Sequence, residues 1–108
     1  MHDFFFLKAN KKFIKIRFAE ILYIEVIKKY TFLITSEKRY LVQTSLNHVE
    51  EVLPQAVFCR INKFNIVHLS HINYFDNQSV CVGKKLFPLG RLYKKKLMTN
   101  LIILDNSK

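Results

Sequence analysis

An alternation of apolar and charged residues is the feature that most constrains the fold of this chain. Within residues 13–18, Ile14 and Ile16 alternate with Lys15 and Arg17. Because successive side chains of a β-strand point to opposite faces, this order predicts a strand with one buried and one solvated face. Short segments of strand composition recur between polar connections, at residues 3–8, 21–27, 31–35, 39–43, 57–61, 66–69, 72–75 and 79–82. We therefore predict a mainly β fold of short antiparallel strands.

Two segments depart from this period. In residues 44–54, Leu46, Val49 and Leu53 recur at intervals of three and four, a serine stands where it can cap the first turn, and a proline follows. This spacing predicts one short helix. Residues 92–104 carry leucines around three consecutive lysines, which fits either a short C-terminal helix or a frayed tail.

The charge balance limits the kinds of partner that the chain can bind. The chain has 108 residues, and its 18 Lys and Arg against 8 Asp and Glu give a formal charge of +10. Such an excess points to a polyanion, which could be nucleic acid, an anionic membrane surface or an acidic protein. Half of the residues are hydrophobic, so we expect one folded domain over residues 1–108. The apolar runs are far shorter than the roughly 20 residues that cross a bilayer, so we expect no membrane span.

The residue types that carry catalysis or bind metals are sparse. Two glycines cannot form the usual phosphate-binding loops. His68 and His71 would lie on opposite faces of a strand, which argues against a shared metal ion. Cys59 and Cys81 stand among apolar residues, match neither a disulfide framework nor a zinc site, and are typical of a protein of the reducing cytoplasm. We expect no enzymatic activity, no cofactor and no metal.

Basic residues concentrate in the connections between the predicted strands, where polar and aromatic residues are interleaved with them. This composition suits a nucleic-acid-binding face, because Lys and Arg neutralise phosphates while Arg, Lys and Asn also bond base edges. An ordinary solvated surface remains open on composition alone. The clusters are Lys28 with Lys29, Arg60 with Lys63, Lys84 with Lys85, and Arg91 with Lys94, Lys95 and Lys96.

Four motifs occur in an order and spacing that is specific to one family. They are EILYIE at residues 20–25, SL at 45–46 with LP at 53–54, FCRINK at 58–63 with IV at 66–67, and FPLGRLY at 87–93. Over residues 4–97 the chain thereby resembles the LytTR family, a bacterial DNA-binding domain usually found at the C-terminus of two-component response regulators.

The resemblance implies an elongated arrangement of small antiparallel sheets with little helix. It also implies sequence-specific binding of double-stranded DNA by loops that enter the major groove, in transcription regulation. The expected partners are direct repeats in promoter DNA, a receiver domain in the full-length protein and a second copy in a dimer on DNA. Whether the chain acts alone or is the effector part of a response regulator stays open.

The family places its DNA contacts in the same connections that the charge pattern singles out. For base contacts the resemblance implies Arg91 first, since a guanidinium can bond guanine bidentately, and then Lys63, Asn62, Lys29 and Thr31. For phosphate contacts or positioning it implies Lys28, Tyr30, Phe64, Asn65, Lys84, Lys85, Tyr93, Lys94 and Lys95. The sequence does not separate base from phosphate contacts in the first of these connections, and hydrophobic packing stays the alternative for Tyr30 and Phe64.

Three positions depart from the family pattern. Asn62 stands where histidine is common, Phe64 where serine is common and His68 where asparagine is common. Phe64 lacks a hydroxyl that could bond a phosphate, so the contacts of that connection are the least secure. Arg60 matches the family, and a structural role for it, paired with an acidic residue, stays open.

A different class of function also fits the charge. A binder of single-stranded nucleic acid without sequence preference would share the basic and aromatic residues, but it would expose stacking rings on strands. A module for an acidic protein or lipid partner would need charge alone.

Overall fold

The computed structural model describes residues 2–107, which form three antiparallel sheets with two helices. The helices are α1, Leu46–Val52, and α2, Arg91–Thr99, and two 3₁₀ turns cover Phe18–Glu20 and Leu69–His71. The mainly β prediction and the short helix are confirmed. The strands are β1 (Phe4–Ala9), β2 (Lys12–Arg17), β3 (Ile21–Ile27), β4 (Tyr30–Thr35), β5 (Arg39–Val42), β6 (Phe58–Asn62), β7 (Asn65–His68), β8 (Ile72–Phe75), β9 (Ser79–Val82) and β10 (Lys85–Pro88).

A five-stranded sheet in the order β5-β4-β3-β7-β6 forms the centre of the fold. The hairpin β1–β2 and helix α1 pack on one face, where Ile24 and Ile66 are buried. The sheet β10-β9-β8 and helix α2 pack on the other face, around Ile61 and Val67. Because neighbouring residues of β7 enter opposite cores, this strand is buried along its whole length. The molecule is elongated, measuring 56 × 32 × 25 Å.

The ends of the helices follow from local sequence. The Ser45 hydroxyl accepts a hydrogen bond from the His48 amide at 3.1 Å and caps α1, as its position predicts. Helix α2 begins after Gly90 and ends at Thr99, so residues 92–104 hold both a helix and a non-helical tail. The apolar side chains of Ile102 and Leu104 in that tail are exposed.

Strand β10 is absent from the sequence prediction. Its sequence, two apolar residues between a lysine and a proline, resembles a connection between strands. The segment nevertheless pairs with β9 from Lys85 to Pro88. Pro88 is compatible with this strand because it lies at the end of a strand on the edge of its sheet.

The prediction that His68 and His71 face apart is wrong. The 3₁₀ turn between them reverses the second side chain, and the ring centroids lie 4.7 Å apart. Within residues 2–107, however, no group of three His, Cys, Asp or Glu is placed to hold a metal ion. No helix in the same range is long and apolar enough to cross a membrane.

Candidate nucleic-acid interface

The first connection is a two-residue hairpin turn between β3 and β4. Ile27 pairs with Tyr30, so Lys28 and Lys29 form the turn, and both side chains are exposed. Lys28 has φ +59°, in the left-handed region that tight hairpins use. Thr31, by contrast, is buried. The turn therefore presents two ammonium groups and the half-exposed Tyr30 ring, but no threonine hydroxyl.

The second connection is the turn between β6 and β7. Lys63 and Phe64 occupy its tip, and the Phe64 ring is 58% exposed. The Asn62 side chain is buried: its Oδ1 accepts from the Phe64 amide at 2.7 Å, and its Nδ2 donates to the Pro88 carbonyl at 2.7 Å. Asn65 is buried as well and donates from Nδ2 to Glu25 Oε2 at 3.1 Å. Both asparagines are thus committed to contacts inside the protein.

Arg60 holds the backbone of this second turn from below. Its Nε donates to the Asn62 carbonyl at 3.1 Å, and its Nη2 donates to the Lys63 carbonyl at 2.6 Å. The Nη1 atom bonds Asn47 and forms an ion pair with Glu50 at 3.1 Å, both on α1. The Arg60 side chain is only 11% exposed and pairs with an acidic residue, so Arg60 has the structural role that the sequence left open.

The third segment is the start of α2. Arg91 is the first residue of this helix and is exposed. The Gly90 amide donates to the Ile61 carbonyl at 2.8 Å, which places the helix start beside the second turn. A Cβ at Gly90 would lie 2.8 Å from Cδ2 of Tyr93, so the absent side chain leaves room for this ring. Phe64, Pro88, Leu92 and Tyr93 line a shallow apolar groove between the turn and the helix.

These three segments meet at one end of the central sheet. Strand β3 pairs with β7 so that Glu25 faces Asn65, and the Val26 amide donates to the Phe64 carbonyl at 2.9 Å. The first turn therefore lies next to the second, and the start of α2 lies next to the second on its other side. Three of the four segments that the charge pattern singles out thus form one continuous surface.

Ion pairs and hydrogen bonds divide the basic residues of this surface into two groups. Lys85 is fixed between the Glu25 carboxylate at 3.1 Å and the rings of Tyr23 and Phe87, each 5.1 Å away. Burial opposes the ammonium charge, but the bond to Glu25 and its negative charge outweigh burial and raise the pKa of Lys85. Lys94 donates to the Asn77 side chain.

The other basic residues of the surface are unpaired within residues 2–107. We call them the six loop cations, and they are exposed: Lys28, Lys29, Lys63, Lys84, Arg91 and Lys95.

The family model of the LytTr DNA-binding domain matches residues 11–102 of this chain. The chain belongs to the LytTR family of DNA-binding domains. This family is a DNA-binding one rather than a catalytic one, and no curated protein sequence matches the chain.

The fold of this LytTR domain is similar to that of a solved structure. The relative is the LytTr DNA-binding domain of a protein from Bacillus cereus described as a methyl-accepting/DNA response regulator. The two superpose with a TM-score of 0.76 at 21% sequence identity, over 93% of this chain and 97% of the other. At this identity the similarity shows the shared fold.

Glu25 is the residue of the LytTR surface that the sequence does not reveal. Its carboxylate joins Asn65, 40 positions away, to Lys85, 60 positions away. In the sequence it appears only as the last residue of the EILYIE motif. Contacts at such separations leave no local pattern, so only the folded chain shows that Glu25 fixes two predicted DNA contacts.

Proposed function

We propose that this LytTR domain binds double-stranded DNA sequence-specifically, with its three segments in the major groove. The observation that carries the proposal is that the two turns and the start of α2, which carry Lys28, Lys29, Lys63 and Arg91, adjoin one another at one end of the central sheet. Their ammonium and guanidinium groups are free to meet phosphates and base edges, while buried polar contacts fix the backbone beneath them.

The proposed contacts differ in what they recognise. Arg91 bonds guanine O6 and N7, because an exposed guanidinium at a fixed helix start can offer two parallel donors. Lys63 and Lys29 reach base edges from the tips of their turns. Lys28, Lys84 and Lys95 bond phosphates and position the domain. Tyr30, Phe64 and Tyr93 supply apolar contact area beside these charges.

Five predicted contacts receive an indirect role in this proposal. Their side chains are buried or already bonded, so they shape the surface rather than touch bases. The bond from Lys85 to Glu25 lies beside the first turn, and the bond from Lys94 to Asn77 fixes α2. The group consists of Thr31, Asn62, Asn65, Lys85 and Lys94.

The biological setting is part of the same proposal. We infer that the domain regulates transcription in the bacterial cytoplasm as the effector domain of a two-component response regulator. Binding of two copies to direct repeats in a promoter is the arrangement that we expect. The description of the Bacillus cereus relative as a response regulator supports this setting.

Selection from a random duplex library tests the sequence specificity, with retained DNA sequenced after each round. The proposal requires one enriched motif. Arg91→Ala should then cost about 1–3 kcal/mol on that motif and flatten the preference at one base pair. Lys84→Ala is the matched control, since loss of a phosphate contact weakens all duplexes about equally. Retention without an enriched motif would instead support a non-specific binder of nucleic acid or of acidic partners.

A further inference from the structure

The outer face of the β1–β2 hairpin carries an ordered array of aromatic and basic side chains. Directly opposed residues of an antiparallel pair lie on the same face. In each of three successive rows, one phenylalanine lies opposite one cation: Phe4 opposite Arg17, Phe6 opposite Lys15, and Phe13 opposite Lys8. We call these six residues the hairpin face.

The opposite side of the hairpin anchors it to the protein. Phe5, Leu7, Ile14 and Ile16 alternate with the residues of the hairpin face and pack into the core beside α1. The core beside α1 is therefore filled by the other face of the hairpin, and the rings of the outer face are not part of it. Phe6 is 54% exposed and Phe13 is 66% exposed. Large rings at such exposure, collected on one anchored surface, are typical of an interaction site.

Charge on this hairpin has a single sign. Strands β1 and β2 contain no acidic residue, and Lys11 and Lys12 add two more exposed cations at the turn. Within residues 2–107, none of the basic side chains of the hairpin forms an ion pair. The Lys15 Nζ lies over the Phe4 ring, 4.3 Å from its centre, so this half-buried ring is covered by an ammonium group, and Phe6 and Phe13 are the exposed rings of the hairpin face.

We propose that the hairpin face binds single-stranded nucleic acid. Unpaired bases stack on exposed aromatic rings, and the phosphates between them meet cations. The rows of the hairpin repeat about every 7 Å along the strands, since each residue rises about 3.4 Å, and the rows of Phe6 and Phe13 each offer one exposed ring and one cation. A duplex cannot use the rings in this way, because its bases are already stacked on each other. The hairpin is a sheet of its own that packs beside α1, so this site is separate from the six loop cations.

Other occupants fit these six residues less well. Two copies facing each other across the hairpin would bring like charges together. An anionic membrane would attract the cations, but insertion of an exposed ring would draw the cation opposite it toward the hydrocarbon. An acidic peptide would satisfy the charges but leave the exposed rings of Phe6 and Phe13 without a partner.

Binding of a fluorescent oligothymidine of about 12 nucleotides to the full chain, followed by anisotropy, tests the proposal. Phe6→Leu and Phe13→Leu should each weaken binding about tenfold, the scale of one stacked base, and Lys15→Glu should weaken it further. Tyr74→Leu is the control, since Tyr74 is an equally exposed ring on β8, and it should leave binding unchanged. Circular dichroism of each variant verifies that these surface changes leave the fold intact.

Three outcomes would overturn the proposal. Equal oligothymidine affinity for the wild type and both leucine variants would show that the rings do not stack on bases. Loss of oligothymidine binding in Arg91→Ala would assign the single strand to the six loop cations. Binding of phosphatidylglycerol vesicles that Phe13→Leu abolishes, with oligothymidine binding unchanged, would assign the face to a membrane.

Discussion

Asn62 shows at the residue scale how a polar side chain beside a binding surface can be fully used inside the protein. Its amide joins the turn at Phe64 to the end of β10 at Pro88. Sequence motifs place Asn62 among the predicted DNA contacts, but they cannot show that its donor is taken by a carbonyl 26 positions away. Lys63 and Arg91 are exposed where the motifs place them, because a turn tip and a helix start are local features.

Substitution of Asn62 measures this structural role. Asn62→Ala leaves the Pro88 carbonyl and the Phe64 amide without their partner, so we expect the free energy of unfolding to fall by about 1–3 kcal/mol. Urea denaturation measures the change. Lys63→Ala is the control, since an exposed side chain at the same turn should alter stability by less than about 0.5 kcal/mol. Unchanged stability of Asn62→Ala would show that the buried amide contributes little.

The shape of the Arg60 side chain matters more for the stability of the domain than its charge does. Arg60→Lys keeps the ion pair with Glu50 possible, but a single ammonium cannot reach the carbonyls of Asn62 and Lys63 together. We expect a loss of about 2 kcal/mol in the free energy of unfolding, since these are hydrogen bonds from a charged group. Lys96→Met, which removes a more exposed partner of Glu50, should cost less than about 1 kcal/mol.

His68 makes the stability of the domain depend on pH. Burial, and then the neighbouring His71, lower the pKa of His68 below its ordinary value of 6.5. The unfolded chain therefore binds a proton more readily than the folded one. Above about pH 6.5, His68 therefore makes its full contribution to the free energy of unfolding. This contribution is lost as the pH falls through the lowered pKa that His68 has in the folded protein.

Asparagine at this position separates the titration from the hydrogen bond. The Nδ1 atom of His68 accepts from the Ser70 amide at 3.0 Å, a bond that an asparagine oxygen can also accept. We expect the melting temperature of His68→Asn to fall less than that of the wild type between about pH 7.5 and about pH 5.5. Equal acid sensitivity of the two proteins would assign the pH dependence to other groups.

At the scale of elements, the sequence reveals the hydrophobic alternation of the strands better than it reveals the geometry of the turns. Alternation predicts most strands, because one face of each is buried. Strand β10 escapes prediction, because its pairing with β9 rather than its composition makes it a strand. The left-handed conformations of Lys11 and Lys28 are equally hidden, since lysine has no preference for positive φ and the hairpins impose it.

Gly83 provides a test of such a turn. It has φ +63° in the two-residue turn between β9 and β10, and a Cβ there would meet nothing within 4 Å. Gly83→Ala should therefore cost about 1–2 kcal/mol in the free energy of unfolding through backbone conformation alone, without a steric clash. Lys84→Ala in the same turn is the control and should leave the urea midpoint almost unchanged. A larger loss for Lys84→Ala than for Gly83→Ala would contradict this explanation.

For the whole molecule, the charge of +10 is divided between two surfaces. Four of the six loop cations, Lys28, Lys29, Lys63 and Arg91, lie at one end of the central sheet, while the cations of β1 and β2 belong to a hairpin that covers one face of it. Lys85 and Lys96 are neutralised by Glu25 and Glu50. A count of basic residues therefore overstates the number that any one partner meets.

The dependence of duplex affinity on salt measures that number. If all six loop cations neutralise phosphate charge, including the three that also reach base edges, the logarithm of the affinity should fall with the logarithm of the salt concentration at a slope near −5, since each neutralised phosphate contributes about −0.9. Lys84→Ala should reduce the slope by about one. Lys15→Glu should leave it unchanged, because Lys15 lies on the hairpin face. A slope near −10, or a change of slope in Lys15→Glu, would mean that the duplex contacts both surfaces and that they form one binding site.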